Sequence, residues 1–429
     1  MSAPAAPPRP AVAPWVPVVA AGVVAAMHVW KLPGVMDRVQ ADLGMSLVQA
    51  GVLMGVVQVA ALLLGLALSL AADLVGMRRT LVAGLVVLAV GSLAGAPASQ
   101  AWVLMATRGL EGLGFILVTV VAPALIRRET PGPRLSGALG WWSAFQGTAL
   151  FLAVLASTLL VLGSGGLGWR GWWAVMAAVS LLAVPPVLRW VPRDPAREGE
   201  DRRAHLRVAL GRTRRTAVAT GPWVIGAVFA CYTVQWGAVM TFLPRVLTEG
   251  GATPAAAGLA LAGAGLLNGA GNVLTGRLLA RGARRGPLVG TALAWMAVST
   301  VLFFVPDWSG VRFGTSLAVL LAASFSLVSA AIPATLTSLI VQAAPEDGSP
   351  AAAVGIMTQV FNLGNLLGPV VLAALADASG GWGTSWVMTV GASLLGLALT
   401  PLALRAPRAP GRPGAPGRRR GRPSVPGPA

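Results

Sequence analysis

Charge is the first thing this chain is short of: 11% of its 429 residues are charged, where an ordinary soluble domain carries about 25%. Water is excluded as its main solvent. Cysteine occurs once, at Cys231, which rules out an internal disulfide and leaves a small apolar side chain inside an apolar stretch. Histidine occurs twice. So few thiols and imidazoles leave no metal-ligand cluster, and there is no glycine-rich phosphate-cradling loop and no ATP-binding motif. Neither a metal ion nor another cofactor is expected, an enzyme is not expected, and any work done must draw on gradients. Lysine is nearly absent as well, outnumbered 31 to 1 by arginine. With abundant alanine, glycine and proline, this reads as the codon bias of a GC-rich bacterial genome.

What is present is apolar: 55% of the chain, gathered into long runs. Each run is close to the roughly 20 residues that carry a helix across about 30 Å of hydrocarbon. The first half gives spans at 15–37, 46–72, 79–97, 100–126, 136–162 and 170–191, the second at 217–243, 254–280, 286–305, 312–342, 351–377 and 382–404. The expected fold is therefore an all-α membrane protein of twelve transmembrane helices. A β-barrel would show alternating segments of about 10 residues instead, and hydrocarbon tolerates no third solution because every backbone polar group needs an internal partner.

A net charge of +18 invites a nucleic-acid reading, but the basic residues sort by side. With both termini inside, 26 of the 32 basic residues fall in cytoplasmic segments: Arg9, Arg78 and Arg79, a group at 127–134, a cluster at 189–215, a group at 277–285 and the tail beyond 404. That is the positive-inside bias, so a bacterial inner membrane with cytoplasmic termini is expected and nucleic acid is not. The organisation reads as a disordered tail at 1–14, a six-helix bundle at 15–191, a basic linker at 192–216, a second bundle at 217–404 and a disordered basic tail at 405–429. The proline-rich start lacks the features of a signal peptide, so the first span is expected to stay uncleaved. The linker over 202–215 reads either as a basic helix lying on anionic membrane lipids or as a solvated loop.

The two bundles are copies. Residues 44–51 (GMSLVQAG) match 251–258 (GATPAAAG) at an offset of 207, Lys31-Leu32-Pro33 finds Phe242-Leu243-Pro244, and Phe145-Gln146 finds Phe361-Asn362. Matches in one order at similar offsets indicate a six-helix unit used twice around a central site.

Two segments carry more specific signals. After the second span comes Ser69-Leu70-Ala71-Ala72-Asp73-Leu74-Val75-Gly76-Met77-Arg78-Arg79. A carboxylate and guanidinium groups at helix ends can pair with each other and with the helix termini, so Asp73, Gly76, Arg78 and Arg79 are expected to form a conformational latch. The second copy, Gly276 to Arg285, has Ala280 where the acid stood. In the fourth span, Arg108-Gly109-Leu110-Glu111-Gly112-Leu113-Gly114 places two charges three residues apart. A charge at mid-membrane costs about 2.5 to 3.5 kcal/mol on insertion scales, so both must face a partner or a wet cavity. Glu111 lies deepest of the acids and is the expected carrier of a coupling proton; a permanently ionised pair with Arg108 is the alternative. Gly112 and Gly114 permit close helix approach.

These segments resemble two signatures of the major facilitator superfamily, G-x-x-x-D-x-x-G-R-R and R-x-x-[Q/E]-G-x-G. The resemblance implies two six-helix bundles, no catalytic residues, and a central cavity lined by the first, fourth, seventh and tenth helices. KLPGVMDRVQADLGMS and RGLEGLGFILVTVVAPALI further resemble the branch that includes cyanate and nitroimidazole transporters. Lys31 has no acid within a turn, so with Arg108 it would make that cavity positive. Snorkelling of Lys31 beside Asp37 is the alternative. The expected substrate-binding set is Lys31, Arg108, Gln146, Tyr232, Gln235, Trp236 and Asn362. Tyr232 and Trp236 share a helix face and could flank a planar ligand or pack on each other. The expectation is a monomeric secondary transporter of a small, anionic solute, with protons as possible partners. The alternatives are efflux of a drug or hydrophobic compound, and a transporter-derived membrane sensor.

Overall fold

The computed structural model describes residues 12–130, 134–161, 166–194, 202–306, 308 and 313–405. The readings of both tails, and of Arg9, Arg197 and Arg312, lie outside the described residues. All described secondary structure is helical. Eleven helices are long and apolar enough to cross a membrane, and a twelfth crossing comes from two pieces that meet at 46°.

In chain order the elements are α1 (Trp15–Leu43), α2 (Leu47–Gly55, a 3₁₀ turn Val56–Gln58 and Val59–Val75), α3 (Met77–Gly95), α4 (Ala101–Glu129), α5 (Gly137–Ser143 and Phe145–Val161) and α6 (Gly168–Trp190). Helix α7 (Arg202–Ala217) is the linker. Then follow α8 (Thr220–Glu249), α9 (Pro254–Ala280), α10 (Arg285–Phe304), α11 (Gly314–Ile340), α12 (Pro350–Ser379) and α13 (Trp382–Arg405). The end of the bundle that holds Trp15 and Arg405 is called the near end here, the opposite one the far end. Leucines and tryptophans such as Leu63, Trp102, Trp141 and Leu182 are exposed on the outside, the surface that lipid would cover.

Local chemistry fixes the starts of several helices. Ser46 accepts from the Gln49 amide in a full capping box, while Thr253 and Ser349 cap helices that begin with Pro254 and Pro350. Proline suits that first position because its missing N–H would have had no partner there. The repeated segments prove alike in detail. Gly44 and Gly251 both have positive φ (61° and 92°), Ser46 and Thr253 both cap, and Gly51 and Gly258 both press against the other half, on Pro369 and Thr158.

The first helix is broken, which the sequence reading of one span over 15–37 did not anticipate. Trp15–Trp30 ends in a turn at Lys31, Pro33–Val35 is 3₁₀, and Met36–Leu43 resumes the helix. Pro33 cannot donate to the Val29 carbonyl four residues back.

The two halves touch along α2 with α12 and along α5 with α9. A Cβ on Gly55 would lie 2.6 Å from the Leu366 carbonyl, and one on Gly147 would lie 2.6 Å from the Gly265 carbonyl and 2.7 Å from the Gly269 nitrogen. Glycine is what lets these backbones meet. Among the described residues, three polar contacts join the halves. Arg245 donates to Gln40 at 2.9 Å and lies 3.9 Å from Asp37, both at the far end, and Gln359 donates to the Leu62 carbonyl at 3.1 Å near mid-depth. The molecule is tied at its far end.

Candidate functional site

Four ionisable side chains meet inside the first half, all of them fully buried: His28 and Lys31 of α1, Arg108 and Glu111 of α4. Lys31 donates to Glu111 Oε1 at 2.5 Å and to Ser92 Oγ of α3 at 2.8 Å, and its ammonium lies 4.1 Å from the ring centre of Trp173 on α6. Arg108 donates to Glu111 Oε2 at 2.6 Å. One carboxylate thus serves two cations. His28 Nδ1 stands 3.5 Å from Glu111 and its Nε2 is 2.7 Å from Ser180 Oγ.

The break in α1 supplies the rest of the arrangement. Arg108 also donates to the carbonyls of His28, at 2.5 Å, and Val29, at 3.5 Å, the second being the carbonyl that Pro33 leaves without its helical donor. Trp172 of α6 donates to the Lys31 carbonyl at 3.0 Å. Gly112 and Gly114 let α4 reach this position: a Cβ on Gly114 would lie 2.7 Å from the Leu88 nitrogen, and one on Gly112 would strike the Val57 carbonyl.

Lys31, which has no acid within a turn of its own helix, meets Glu111, 80 residues away in sequence. Lys31 and Arg108 do not reach toward the second half, because buried charges seek partners and theirs lie on α3, α4, α6 and the opened backbone of α1.

Trp30, the residue before Lys31, is the one that reaches across. Its indole donates to Gln146 of α5 at 2.8 Å and meets Trp236 of α8 edge to face, with ring centres 5.0 Å apart. From Trp236 the aromatic contacts continue to Tyr232 at 6.1 Å, Phe229 at 5.8 Å and Phe361 of α12 at 4.7 Å. Tyr232 and Trp236 therefore pack on each other. Trp236 donates to Ser326 of α11 at 3.2 Å, and Asn268 of α9 donates to the Ser326 carbonyl at 3.0 Å and to the Tyr232 hydroxyl at 3.5 Å. This junction is uncharged.

Of the expected binding set, Gln146, Tyr232 and Trp236 come together there. Gln235 does not: its amide donates to the Cys231 carbonyl at 2.6 Å and accepts from Ser393 of α13 at 3.1 Å. Asn362 is buried on α12 and makes no side-chain hydrogen bond among the described residues. Sequence reading passed over Trp30 and Ser326 as parts of the junction, and Ser92, Trp173 and Ser180 as partners of the charges. Aromatic and small hydroxyl residues on apolar helices carry no signal of their own.

At the near end, Gly76 takes φ 105° and starts α3, a conformation that favours glycine. The side chain of Asp73 lies outside those described. The acid found at this corner is Asp194, which accepts from the Arg78 amide at 3.1 and 3.2 Å and from Arg128 at 2.9 Å. Arg78 itself donates to the Leu188 carbonyl at 2.5 Å. Burial alone would raise the Asp194 carboxyl, but the hydrogen bonds from Arg128 and from the amides of Arg78 and Arg79 outweigh it and hold the group below the usual carboxylate range. Arg78, Arg128 and Leu188 belong to the first half and Asp194 opens the linker, so among the described residues this corner ties the start of the linker to the first half.

Residues 18–248 and 225–428 match the family model described as Major Facilitator Superfamily. The chain belongs to the major facilitator superfamily. A curated relative from Arabidopsis thaliana, "Probable polyol transporter 4", is 25% identical over 260 residues, which is 51% of this chain and 49% of that protein; the chain thus aligns with about half the length of the curated relative. Among solved structures, a bacterial homologue of the human lysosomal transporter Spinster, inward-facing and unoccupied, superposes with a TM-score of 0.74 over 93% of this chain and 98% of its own at 16% identity. The D-xylose-proton symporter gives a TM-score of 0.71 over 92% and 97% at 17% identity. At such identities the likeness to solved structures establishes the fold alone; the family model gives the superfamily, and the spans agree with an all-helical, multi-pass membrane protein.

Proposed function

We propose that this superfamily member is a monomeric secondary active transporter of a small polar solute, working by alternating access in a bacterial inner membrane with its near end in the cytoplasm. The observation that carries the reading is where the halves are joined. Among the described residues, the polar contacts and glycine-on-backbone packing between them lie at mid-depth and at the far end, which supports a cycle in which the near end opens and the halves invert by rocking. The arginine bias supports the orientation. Glu111 carries the coupling proton: protonating it withdraws the one carboxylate that serves Lys31 and Arg108, and so changes which packing of α1 on α4 is favoured.

The substrate lies at the junction of Trp30, Gln146, Tyr232 and Trp236, where an uncharged solute meets ring faces and amide groups. The names of the polyol transporter and the xylose-proton symporter agree with that class. A second reading, an anionic solute of the kind the cyanate and nitroimidazole branch suggests, is favoured by the surplus positive charge of two cations on one carboxylate. Lipid vesicles holding the purified protein separate the readings, with an imposed pH gradient and labelled myo-inositol, lactate and tetraphenylphosphonium as probes. Saturable, gradient-driven uptake of myo-inositol supports the first reading, uptake of lactate alone the second, and expulsion of the cation a hydrophobic-compound exporter. Movement of none of them, despite binding, points to a sensor.

A further inference from the structure

Consecutive residues of α1 serve two different places. Lys31 turns to Glu111, Ser92 and Trp173 inside the first half, while Trp30 turns to Gln146 and to Trp236 of the second half. They sit at the edge of the break, where the helix ends and a turn leads into the 3₁₀ segment Pro33–Val35. A segment without its full ladder of backbone hydrogen bonds is where a helix yields most easily. The carbonyls exposed there are held from outside, by Arg108 on one side and by Trp172 on the other. Anything that changes how Arg108 and Lys31 are held must therefore act on the backbone that carries Trp30.

We infer that Trp30 is the positioning residue that couples the buried charges to the junction between the halves. The inference rests on the proton reading above and says how the proton is heard. When Glu111 takes up a proton, Lys31 and Arg108 lose their shared acceptor, the break in α1 readjusts, and the edge-to-face contact of Trp30 on Trp236 is made or released. The groups that face Glu111 are His28 and Lys31 from α1 and Arg108 from α4, with the uncharged Ser92 on α3 and Trp173 and Ser180 on α6 completing the surroundings. No other titratable group stands between the cluster and Trp30 among the described residues.

The test needs no knowledge of the substrate. Spin labels go on cysteines placed at the exposed far-end positions Ala41 and Ala255, one in each half, in a protein whose lone Cys231 is replaced by serine. Their distance distribution is measured in nanodiscs from pH 5 to pH 8. Coupling free energies between sites commonly amount to about fivefold or more in an equilibrium, so the parent is expected to change its far-open fraction by about that factor. Glu111→Gln and Trp30→Phe are each expected to reduce the change to under about twofold, as is Trp236→Phe, which removes the same contact from the other side and guards against a folding defect in one variant. Loss of the pH response in Glu111→Gln with full retention in both aromatic variants overturns the role of Trp30 and leaves the proton reading standing. A parent without a pH response, or a Glu111→Gln variant that keeps it, overturns both.

Discussion

Removing Glu111 and removing Lys31 are not equivalent acts. Glu111→Leu leaves two buried cations without an acceptor, whereas Lys31→Met leaves Arg108 and Glu111 as a one-to-one pair. Deleting one partner of a buried ion pair typically costs about 3 to 5 kcal/mol because the survivor stays buried and unpaired. Thermal unfolding in detergent should show Glu111→Leu losing that much or more, and Lys31→Met clearly less. Equal losses would mean that the cluster does not balance as its geometry implies. Asp194 gives a pH-dependent counterpart outside the membrane. Its carboxyl is held below the ordinary value in the folded state, so its contribution is present above the ordinary carboxylate range and is lost as pH falls through the depressed value. The stability gap between the parent and Asp194→Asn should therefore narrow as pH falls below the ordinary carboxylate range; a gap that widens on acidification would refute the assignment. The sequence already spoke for Arg108 and Glu111, since two charges three residues apart in an apolar helix must be answered. It was silent on who answers: Lys31 is 80 residues from Glu111, and only the path of α1 past α4 brings them together.

Helices were easier to read than their interruptions. Apolar runs of the right length located the spans, and the glycines at 112 and 114 announced the close contacts that α4 makes with α2 and α3. The break in α1 and the 46° bend in α5 were not legible, because neither changes hydrophobicity, which is the signal that marks a span. A single proline at position 33 is compatible with a kink, a turn or an intact helix supported by its neighbours. The glycines between the halves give a test at this scale. Gly147→Leu puts a branched side chain where α5 lies on the backbone of α9, so the halves should separate and the spin-label distance between Ala41→Cys and Ala255→Cys should lengthen. Gly109→Leu, in α4, serves as the control, since its Cβ would meet nothing within 4 Å. Equal distances in the two variants would remove the α5–α9 contact from the account.

Over the whole molecule the repeat is faithful in its frame and broken in its chemistry. The far-end segments at 44–51 and 251–258 share a positive-φ glycine, a capping hydroxyl and an inter-half glycine, all of it recoverable from two short strings of letters. Yet the positions that match Lys31, Arg108 and Glu111 by the repeat hold Phe242, Ala322 and Phe325, each buried. The second half fills with rings and methyl groups the space in which the first keeps charge. On the proposed mechanism one half holds the switch and the other answers through packing, with Trp30 against Trp236 as the contact between them. Arg245, reaching from α8 to Gln40 and Asp37, is on the proposed mechanism the polar tie that far-end opening must break, so Arg245→Ala should lengthen the spin-label distance between Ala41→Cys and Ala255→Cys. An unchanged distance would show that the glycine contacts alone close that end. The most direct test of the central claim is accumulation in vesicles under an imposed pH gradient, compared with counterflow exchange in the same vesicles. With Glu111→Gln the account predicts that gradient-driven accumulation disappears while exchange persists; undiminished accumulation in that variant would contradict it.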